Sequence, residues 1–463
     1  MENNERTFLG TEKISRLMAK FAIPSIIGML VSALYNIIDQ LFIGQKVGID
    51  GNAATNIAFP LTTLCIACAL LFGIGGASCF NLSLGKGDEK RAAYFAGCSA
   101  SMQIVVGAVL FIATEIFLYP ILHLCGAQGG IVEEYAASYV RITAIGFPFL
   151  ILTTGGGNLM RADGSPSMTM LCNIIGAVIN IILDSLFVLV FDWGMAGAAW
   201  ATVIGQLVSA IIVLTYFRRF KTVKLNMKHF IPRLKYLQQI VLIGMAAFFN
   251  QIAIMAVNVV LNQLLRTYGN ESIYGATVTI ASAGIVMKVF QVFFSFIIGL
   301  SQGSQPIESY NYGARKYDRV RGALLFTLGI GGILSVAAAV IFQIFPDKIL
   351  TLFGEGDAAY MEFGVRFFRI FLLAVVVDFF QPIVSTFFTS IGKAHKGVFL
   401  SLTRQFLFFI PLLLILSRIF GLDGILYAGP AADLSAFAVT IIMMAIELRN
   451  IRKLERETQA VHA

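Results

Sequence analysis

Charged residues are scarce in this chain. Asp, Glu, Lys and Arg make up 13% of its 463 residues, hydrophobic residues make up 57%, and the mean hydropathy is +0.81. A soluble globular protein carries about 25% charged residues, because its surface faces water. The composition therefore excludes a water-soluble globule and indicates an integral membrane protein.

Motifs for direct use of nucleotides are also missing. No Gly-x-x-x-x-Gly-Lys-Ser/Thr sequence occurs, and no polar stretch is long enough for a nucleotide-binding domain. The four histidines, His123, His229, His395 and His462, fall in predicted loops or in the C-terminal tail. The lack of an imidazole at membrane depth argues against a membrane-embedded enzyme. We predict no catalytic residues and no cofactor.

Metal and disulfide chemistry have little support. All six cysteines lie in the first half, mostly within apolar segments, where a disulfide framework is not expected. Cys65 and Cys68 form a Cys-x-x-Cys pair, but a zinc site needs four ligands and no histidine or acid lies close in sequence. Core packing is the favoured interpretation of this pair.

Twelve apolar segments follow one another along the chain. Each is long enough, at about 20 residues, to cross about 30 Å of hydrocarbon. They run over 16–44, 54–84, 92–119, 133–157, 166–191, 195–217, 239–268, 275–311, 320–345, 358–390, 396–417 and 424–447. We therefore predict an all-α integral membrane protein with twelve transmembrane helices.

The two halves of the sequence repeat each other at a shift of 228 residues. Gly85, Gly126, Arg141 and Gly164 fall on Gly313, Gly354, Arg369 and Gly392, each in a matching local context. Six segments per half is an even number, so both halves cross the membrane in the same sense. The sequence thus predicts two six-helix bundles related by a pseudo-two-fold axis along the membrane normal, with a transport cleft between them.

This duplication sets the predicted domain organisation. The N-terminal six-helix lobe covers 1–217, a basic linker covers 218–238, the C-terminal lobe covers 239–447, and a tail covers 448–463. The linker contains seven basic residues: Arg218, Arg219, Lys221, Lys224, Lys228, Arg233 and Lys235.

The distribution of positive charge predicts the orientation. With both termini in the cytoplasm, four of the 34 Lys and Arg residues, Lys46, Arg266, Lys348 and Arg418, fall in loops on the outer side. The positive-inside rule then places both termini and the linker in the cytoplasm, and the protein in the cell membrane. The net charge of +8 is explained by this topology. It indicates contact with the lipid bilayer rather than a nucleic-acid partner.

Two carboxylates lie at matched depth in the first half. Asp39 is on the first span, and Asp184 is on the fifth, one turn beyond Asn180 and on the same helix face. Thr202, on the sixth span, reaches a similar depth. Buried ionisable groups are costly, so their default interpretation is functional. These oxygen ligands suit a monovalent cation, H⁺ or Na⁺. The alternative is that both acids bond to neighbouring helix ends.

The second half carries different mid-depth charges. Lys288 lies on the eighth span and Asp378 on the tenth. An unpaired charge there is costly, so one interpretation is an intramembrane ion pair, and the other is contact with substrate. Aromatic, methionine and amide side chains offer stacking and cation-π contacts in the cleft. The cleft candidates are Tyr35, Asn36, Met255, Met287, Lys288, Phe290 and Asp378. Ordinary packing is the alternative for each of them.

The whole chain resembles the multidrug and toxic compound extrusion (MATE) transporters, in particular their MepA-like and DinF-related bacterial branch. The resemblance rests on the twelve spans in two bundles, on Pro24 in the first span and on the loop Gly85, Gly87, Lys90, Arg91 with its counterpart after the eighth span. In DinF-like members an Asp, an Asn–Asp pair and a Thr form a cation site in the N-terminal lobe. Asp39, Asn180, Asp184 and Thr202 match that pattern.

One feature departs from the NorM-like branch of the same family. There, an acid on the seventh span and an Asp on the tenth form a cation site in the other lobe. Phe248-Phe249-Asn250 stands where that acid is expected, although Asp378 retains the Asp. The resemblance therefore implies a single coupling site, in the N-terminal lobe.

The function implied is secondary multidrug efflux. An organic compound, often cationic and amphipathic, leaves the cell in exchange for H⁺ or Na⁺ while the lobes rock about the cleft. The partners expected are small drugs or toxic compounds, and the protein is expected to be monomeric. Two alternatives remain: a lipid-linked oligosaccharide flippase of the same superfamily, and an uncoupled channel or receptor-like protein. Twelve spans and one cleft lysine argue against the flippase.

Overall fold

The computed structural model describes residues 8–127, 129–352 and 358–462. Long helices dominate these ranges, and they contain no β-strand. Ten helices are each long and apolar enough to cross a membrane. Two further pairs of helices, bent by 55° and 48°, pass the same test when each pair counts as one span. The predicted all-α fold with twelve spans is thereby confirmed.

Six spans build the N-terminal lobe. They are α1 (Ile14–Lys46), α2 (Ile49–Gly85), α3 (Glu89–Ile116), α4 (Ile131–Ile145 and Phe147–Ala162), α5 (Pro166–Asp184, continued by a π-helix over Ser185–Val190) and α6 (Gly194–Phe217). A short helix, Leu118–Leu124, precedes α4.

Six more spans build the C-terminal lobe. They are α7 (Leu234–Asn270), α8 (Gly275–Gly313), α9 (Tyr317–Ile344), α10 (Ala358–Phe371, Val375–Asp378 and Phe380–Ser390), α11 (Ala394–Leu402, a π-helix over Thr403–Phe409, and Ile410–Phe420) and α12 (Leu422–His462). A short helix, Pro346–Thr351, precedes α10. The segment predicted as a tail continues α12, and Arg321 on α9 pairs with Glu455 there at 3.4 Å.

The repeat is visible in the irregular features of both lobes. The short helices begin at Leu118 and Pro346, which are related by the 228-residue shift. The bends in α4 and α10 fall at Gly146 and near Ala374, which are related by the same shift. In α4, Pro148 follows the bend and cannot donate a backbone hydrogen bond, which explains the break. The lobes are therefore two copies of one structure, including its kinks.

The lobes meet along a seam at the end of the molecule that holds both termini. We define the seam as the contact of α1 and α2 with α7 and α8. Glycines allow the backbones to approach there. A Cβ on Gly244 of α7 would lie 1.8 Å from the carbonyl oxygen of Leu71 on α2, and a Cβ on Gly303 of α8 would lie 2.6 Å from Cα of Ala22 on α1.

Hydrogen bonds reinforce the seam. Gln305 Nε2 donates to Ser78 Oγ at 2.8 Å, and Asn311 Nδ2 donates to the carbonyl of Leu9 at 2.9 Å. Between the same lobes, Arg161 on α4 donates to Gln302 Oε1 at 2.7 Å. These bonds all lie in the halves of the spans that face the termini, so this is the closed side of the lobe interface.

The linker is fastened to the same end of the N-terminal lobe. The carboxylate of Asp163, between α4 and α5, accepts hydrogen bonds from Tyr216 Oη at 2.7 Å, from the Lys221 amide at 2.7 Å and from the Thr222 amide at 2.9 Å. Further along, the carbonyl of Phe230 accepts a hydrogen bond from Ser101 Oγ on α3. The basic linker is thus held against the lobe along its length.

The close helix approach makes a prediction about Gly244. Gly244→Ala should push α7 away from α2 and destabilise the protein by about 1–3 kcal/mol, because the added methyl overlaps a backbone oxygen. Gly329→Ala on α9 is the matched control, since a Cβ there meets nothing within 4 Å. Thermal unfolding in detergent measures both variants. Equal midpoints for the two would contradict the close seam.

Candidate functional site

The predicted site residues of the N-terminal lobe come together in the structure. Asp39 on α1 and Asp184 at the end of the α-helical part of α5 are neighbours, and their carboxyl groups interact. Asn180, one turn before Asp184, donates from Nδ2 to Thr202 Oγ1 on α6 at 3.3 Å. Three helices therefore deliver two carboxyls, an amide and a hydroxyl to one place.

The centre of this site is buried, Asp39 and Thr202 are half-buried, and several of its oxygen atoms lack a hydrogen-bond partner. Asp184 is fully buried and Asn180 is 3% exposed. Among the residues that the structure describes, Asp39 Oδ1, Asn180 Oδ1 and both carboxyl oxygens of Asp184 have no hydrogen-bond partner. Helix capping, the structural alternative for the two acids, requires such partners and is not observed for these atoms. A cluster of buried acceptors without donors suits a proton or a small cation.

The backbone changes form where Asp184 lies. The α-helical part of α5 ends at Asp184, and the next six residues, Ser185–Val190, form a π-helix. A π-turn inserts extra backbone, which rotates the following residues relative to a regular helix, and it is frequent at functional sites. Asp184 thus sits at the junction between two helical geometries in α5.

A cavity of about 90 Å³ lies within the N-terminal lobe beside Asn180, and neither Asp39 nor Asp184 is part of its lining. Its lining includes Tyr35, Asn180 and Thr202 from the predicted set. The other lining residues are mainly hydroxyl and amide residues and glycines: Ser32, Leu150, Thr153, Thr154, Asn173, Gly176, Ala177, Gly205, Gln206 and Ser209. A cavity of this size and polarity has room for a few water molecules or an ion.

Tyr139 belongs to this site although the sequence analysis did not identify it. Its hydroxyl lies beside Thr202, and it is close enough to Asp39 and Asp184 to interact electrostatically with both carboxyl groups. It lies on the first part of α4, which the bend at Gly146 directs toward α5 and α6. A tyrosine in an apolar span has no sequence feature that distinguishes it from the tyrosines of the membrane interface.

In the C-terminal lobe, the prediction that Asp378 pairs with Lys288 is wrong. Asp378 Oδ1 lies 3.5 Å from a terminal nitrogen of Arg404 on α11, and Arg404 Nε lies 2.7 Å from Asp433 Oδ1 on α12. Asp378 and Asp433 are each 7% exposed, so the pair is buried inside the lobe rather than open to substrate. Within the described ranges Lys288 forms no ion pair.

The error has a physical cause. Sequence position indicates depth along a helix but not direction around it, and Asp378 follows the break at Leu372–Ala374, which reorients the rest of α10. Arg404 lies in the π-helix over Thr403–Phe409. Each lobe thus carries a π-helix next to its buried acids. A guanidinium lies between the acids of one lobe, whereas the acids of the other lobe lack a cation.

The remaining cleft candidates are distributed over both lobes. Tyr35 lines the N-terminal cavity, whereas Asn36 is exposed and donates from Nδ2 to the Ser32 carbonyl at 2.7 Å. Met287 and Phe290 on α8 pack against the C-terminal core, and Phe290 stacks on Phe294 with ring centroids 5.4 Å apart. Met255 and Lys288 are partly exposed. The cavity that holds Tyr35 includes none of the candidates from α7 and α8.

Among the described residues, five buried charged groups lie outside these predictions: Arg161, Asp163, Glu308, Asp433 and Glu447. Arg161 is 5% exposed and donates to Asn158 as well as to Gln302, both at 2.7 Å. Glu308, on α8, is fully buried. Asp433 completes the Arg404 cluster. Arg161 and Glu308 lie near the ends of predicted spans, where a charged residue is ordinarily assigned to the membrane surface.

Comparison with known proteins supports the resemblance. A sequence model of the MatE family matches residues 24–186 and 247–415, one stretch in each lobe. The chain is 26% identical over 451 residues to "Multidrug export protein MepA" of Staphylococcus haemolyticus, with 97% of each chain covered. It is 26% identical over 452 residues to the protein of the same name from Staphylococcus aureus strain NCTC 8325, with 97% of this chain and 98% of that one covered.

Solved structures share the fold. One, described as "Outward-facing conformation of a multidrug resistance MATE family transporter of the MOP superfamily", superposes with a TM-score of 0.89 at 22% identity over 96% of this chain and 98% of that one. Another, a MOP superfamily transporter from Pyrococcus furiosus described by the "reverse polarity" of its binding pocket, gives the same TM-score, identity and coverage.

The C-terminal cluster makes a prediction about Arg404. Arg404→Gln should destabilise the protein by about 3–5 kcal/mol, because it leaves two buried acids without their cation. In a double-mutant cycle, Asp433→Asn should cancel part of that loss, since the two side chains are in contact. Lys288→Gln is the control with a smaller effect. Additive losses for Arg404 and Asp433 in thermal unfolding would contradict the pair.

Proposed function

We propose that this chain, which belongs to the MatE family, exports small organic compounds from the cell in exchange for H⁺ or Na⁺. The observation that carries the proposal is the buried cluster of Asp39 and Asp184, whose free oxygens lie next to Asn180 and Thr202. Binding a cation stabilises such a cluster, because it offsets the repulsion between two neighbouring buried carboxyl groups. The printed names of the relatives, multidrug export proteins, support the export of drugs.

The proposed orientation places the seam, both termini and the linker in the cytoplasm of a cell membrane. The loops and ends on that side hold most of the Lys and Arg residues, in accordance with the positive-inside rule. Because the seam is the closed side of the lobe interface, this conformation is proposed to be open to the outside. The high similarity to a transporter described as outward-facing supports this assignment.

Helix α1 is the proposed connection between the cation site and the lobes. Its outer half carries Asp39, and it packs against α5 of its own lobe. Its inner half contacts α8 of the other lobe, where Gly299 and Gly303 approach the backbone of Ile26 and Ala22. Pro24 lies within the contact with α8, between Ala22 and Ile26, and removes one backbone hydrogen bond, which makes a change in helix bending less costly there.

The coupling follows from charge. A cation that enters from outside binds between Asp39 and Asp184, either as a proton shared by the two carboxyls or as Na⁺ that bridges two carboxylates. Either ion lowers the charge of the pair from −2 to −1 and offsets the repulsion between the two groups, so α1 packs more closely against α5. That movement disturbs the contact between α1 and α8 and favours opening of the seam, in which state substrate enters from the cytoplasm. A ligand shifts such an equilibrium only by its difference in affinity for the two states. The alternating exposure of the cleft is the proposed rocker-switch.

The substrate proposed is an amphipathic, often cationic compound. Tyr35 and Asn36 on α1 and Met287, Lys288 and Phe290 on α8 are the proposed contacts from the two lobes. Asp378 is no longer proposed as a contact, since it is buried against Arg404. The protein is proposed to act as a monomer, because the interface between the two lobes, which the mechanism requires, lies within one chain.

The cation is distinguished by transport measurements in proteoliposomes. Drug movement is followed while the Na⁺ gradient and the pH gradient are clamped independently. Transport driven by one gradient alone identifies H⁺ or Na⁺. Counterflow of labelled against unlabelled drug separates a transporter from an uncoupled channel, which shows no counterflow. A flippase, the other alternative, would move a lipid-linked oligosaccharide and leave the drug in place.

The first transport prediction concerns the carboxyl pair. Asp39→Asn and Asp184→Asn should each abolish gradient-driven export at unchanged expression, because each removes a titratable oxygen from the cation. Asn180→Ala and Thr202→Ala should reduce export less, since neutral ligands contribute no charge. Drug efflux in proteoliposomes measures all four variants. Full export by both Asn variants would exclude the N-terminal coupling site.

The second concerns the asymmetry of the lobes. Asn250→Ala should leave the pH or Na⁺ dependence of transport unchanged, because α7 supplies no acid. Asp39→Glu keeps the charge but lengthens the side chain, so it should shift that dependence. Both variants are titrated across pH and Na⁺. A shift for Asn250→Ala together with an unchanged profile for Asp39→Glu would move the coupling site to the C-terminal lobe.

A further inference from the structure

Glu308 is a buried acid that the proposed coupling site does not use. It lies on α8 one turn after Gln305, which bonds Ser78 across the seam, and beside Ser390 at the end of α10. It is on the opposite side of the membrane from Asp39 and Asp184, and it is fully buried. Neither of its carboxyl oxygens has a hydrogen-bond partner among the residues described. A buried carboxylate without a partner is strongly disfavoured, so the group in this conformation is the neutral, protonated acid.

Two hydroxyl groups lie beside the carboxyl of Glu308, those of Ser304 and Ser390. Each also donates within its own helix, Ser304 to the carbonyl of Ser301 at 2.9 Å and Ser390 to the carbonyl of Thr386 at 2.8 Å. Neither hydroxyl carries a charge, so neither replaces the water that a carboxylate loses on burial.

The other lobe contributes a second unsatisfied group at the same level. Gln305 contacts Ser78 across the seam, and Glu308 and Asn81 follow three residues later on α8 and α2, which run in the same direction. Asn81 is fully buried, and both polar atoms of its side chain lack partners within the described residues. The two unsatisfied polar side chains thus lie at equivalent positions on facing helices.

Among the residues described in the structure, none supplies a counter-charge to Glu308 from the helices around it. On α2 the one charged residue is Asp50, at the far end of the helix. The charged groups near this end of the molecule have other partners. Arg161 bonds Asn158 and Gln302, Arg91 bonds Gln239, Lys316 and Arg319 bond the carbonyls of Leu9, Gly10 and Glu12, Lys20 lies over Phe8, and Lys393 and Lys396 bond Glu447.

We propose that Glu308 is a second proton-binding site, whose protonation holds the cytoplasmic seam closed. When the seam opens, water reaches the carboxyl, its proton leaves to the cytoplasm, and the carboxylate then resists reburial. Closing therefore requires a proton from the cytoplasmic side. The inference rests on the proposed orientation but not on the coupling site at Asp39 and Asp184.

Linkage gives the direction of the effect. The closed seam binds one proton more than the open seam, so rising cytoplasmic pH favours the open seam by up to tenfold for each pH unit. The effect sets in as the pH rises above the ordinary titration range of a glutamate in water. Falling pH favours the closed seam. Glu308→Gln imitates the neutral acid and should keep the seam closed at every pH.

The test measures the width of the seam directly. Spin labels are placed at Lys86→Cys and Asp318→Cys, two exposed positions that follow α2 and α8 on the same side. The background carries Cys125→Ser, because the other five cysteines are buried. Distances between the labels are measured in lipid nanodiscs from about pH 5 to about pH 9. The parent should show a growing long-distance population as pH rises, and Glu308→Gln should not.

Two controls make the test specific. Burial raises the pKa of Asp163, the residue that fastens the linker, to about 6, so it titrates in the same range. Asp163→Asn should keep the pH response if Glu308 is responsible. Asp39→Asn should also keep it, even where export is lost, which separates this inference from the proposed coupling site.

Infrared spectroscopy supplies a second readout that does not depend on transport. The carbonyl stretch of a protonated carboxylic acid should be lost at neutral pH in Glu308→Gln. It should persist in Glu447→Gln, because the carboxyl of Glu447 forms salt bridges with Lys393 and Lys396. Three results would overturn the proposal. They are a distance between the spin labels that does not change with pH in the parent, a pH dependence in Glu308→Gln that equals that of the parent, and an unchanged carbonyl band in Glu308→Gln.

Discussion

The cost of placing a charge where water is absent governs this protein more than any other interaction. Hydrocarbon provides no hydrogen bonds, so each ionisable side chain within a span must be paired, protonated or exposed to a water-filled space. The chain uses different solutions in different places. Arg404 lies between two acids in the C-terminal lobe, whereas Asp39 and Asp184 face one another in the N-terminal lobe with free oxygens.

Those different solutions distinguish two lobes that share one architecture. The short helices, the bends in α4 and α10 and the π-helices of α5 and α11 recur in both halves. In the C-terminal lobe the cation is the side chain of Arg404, which is covalently part of the protein and cannot dissociate. A cation bound at Asp39 and Asp184 could dissociate. In the proposed mechanism, this internal pairing keeps the acids of the Arg404 cluster from binding the coupling ion and leaves that role to Asp39 and Asp184, although the backbone fold of both lobes is the same.

The seam joins the two lobes through backbone contact rather than large side chains. Glycines on α2, α7 and α8 bring helices so close that no side chain fits between them. Such contacts are strong when formed, and the proposed rotation of the lobes would break them together, because close packing tolerates little intermediate separation. In that proposal, the polar side chains at this level, including Gln305, Asn311 and Glu308, determine how the closed and open states respond to water and protons.

The sequence by itself determined the membrane environment, the twelve spans, the duplication and the residues of the N-terminal site. Hydrophobic length and the spacing of Asn180 and Asp184 on one helix are properties of a single segment, so they can be read without knowing its neighbours. Tertiary structure alone decided the partner of Asp378, the place of Tyr139 beside the carboxyl pair and the burial of Glu308 and Arg161. Each of these depends on the rotation of a helix about its axis, on a bend or π-turn within it, or on contact with the other lobe. Depth along a span is encoded locally, whereas direction around it is set by the helices that pack against it.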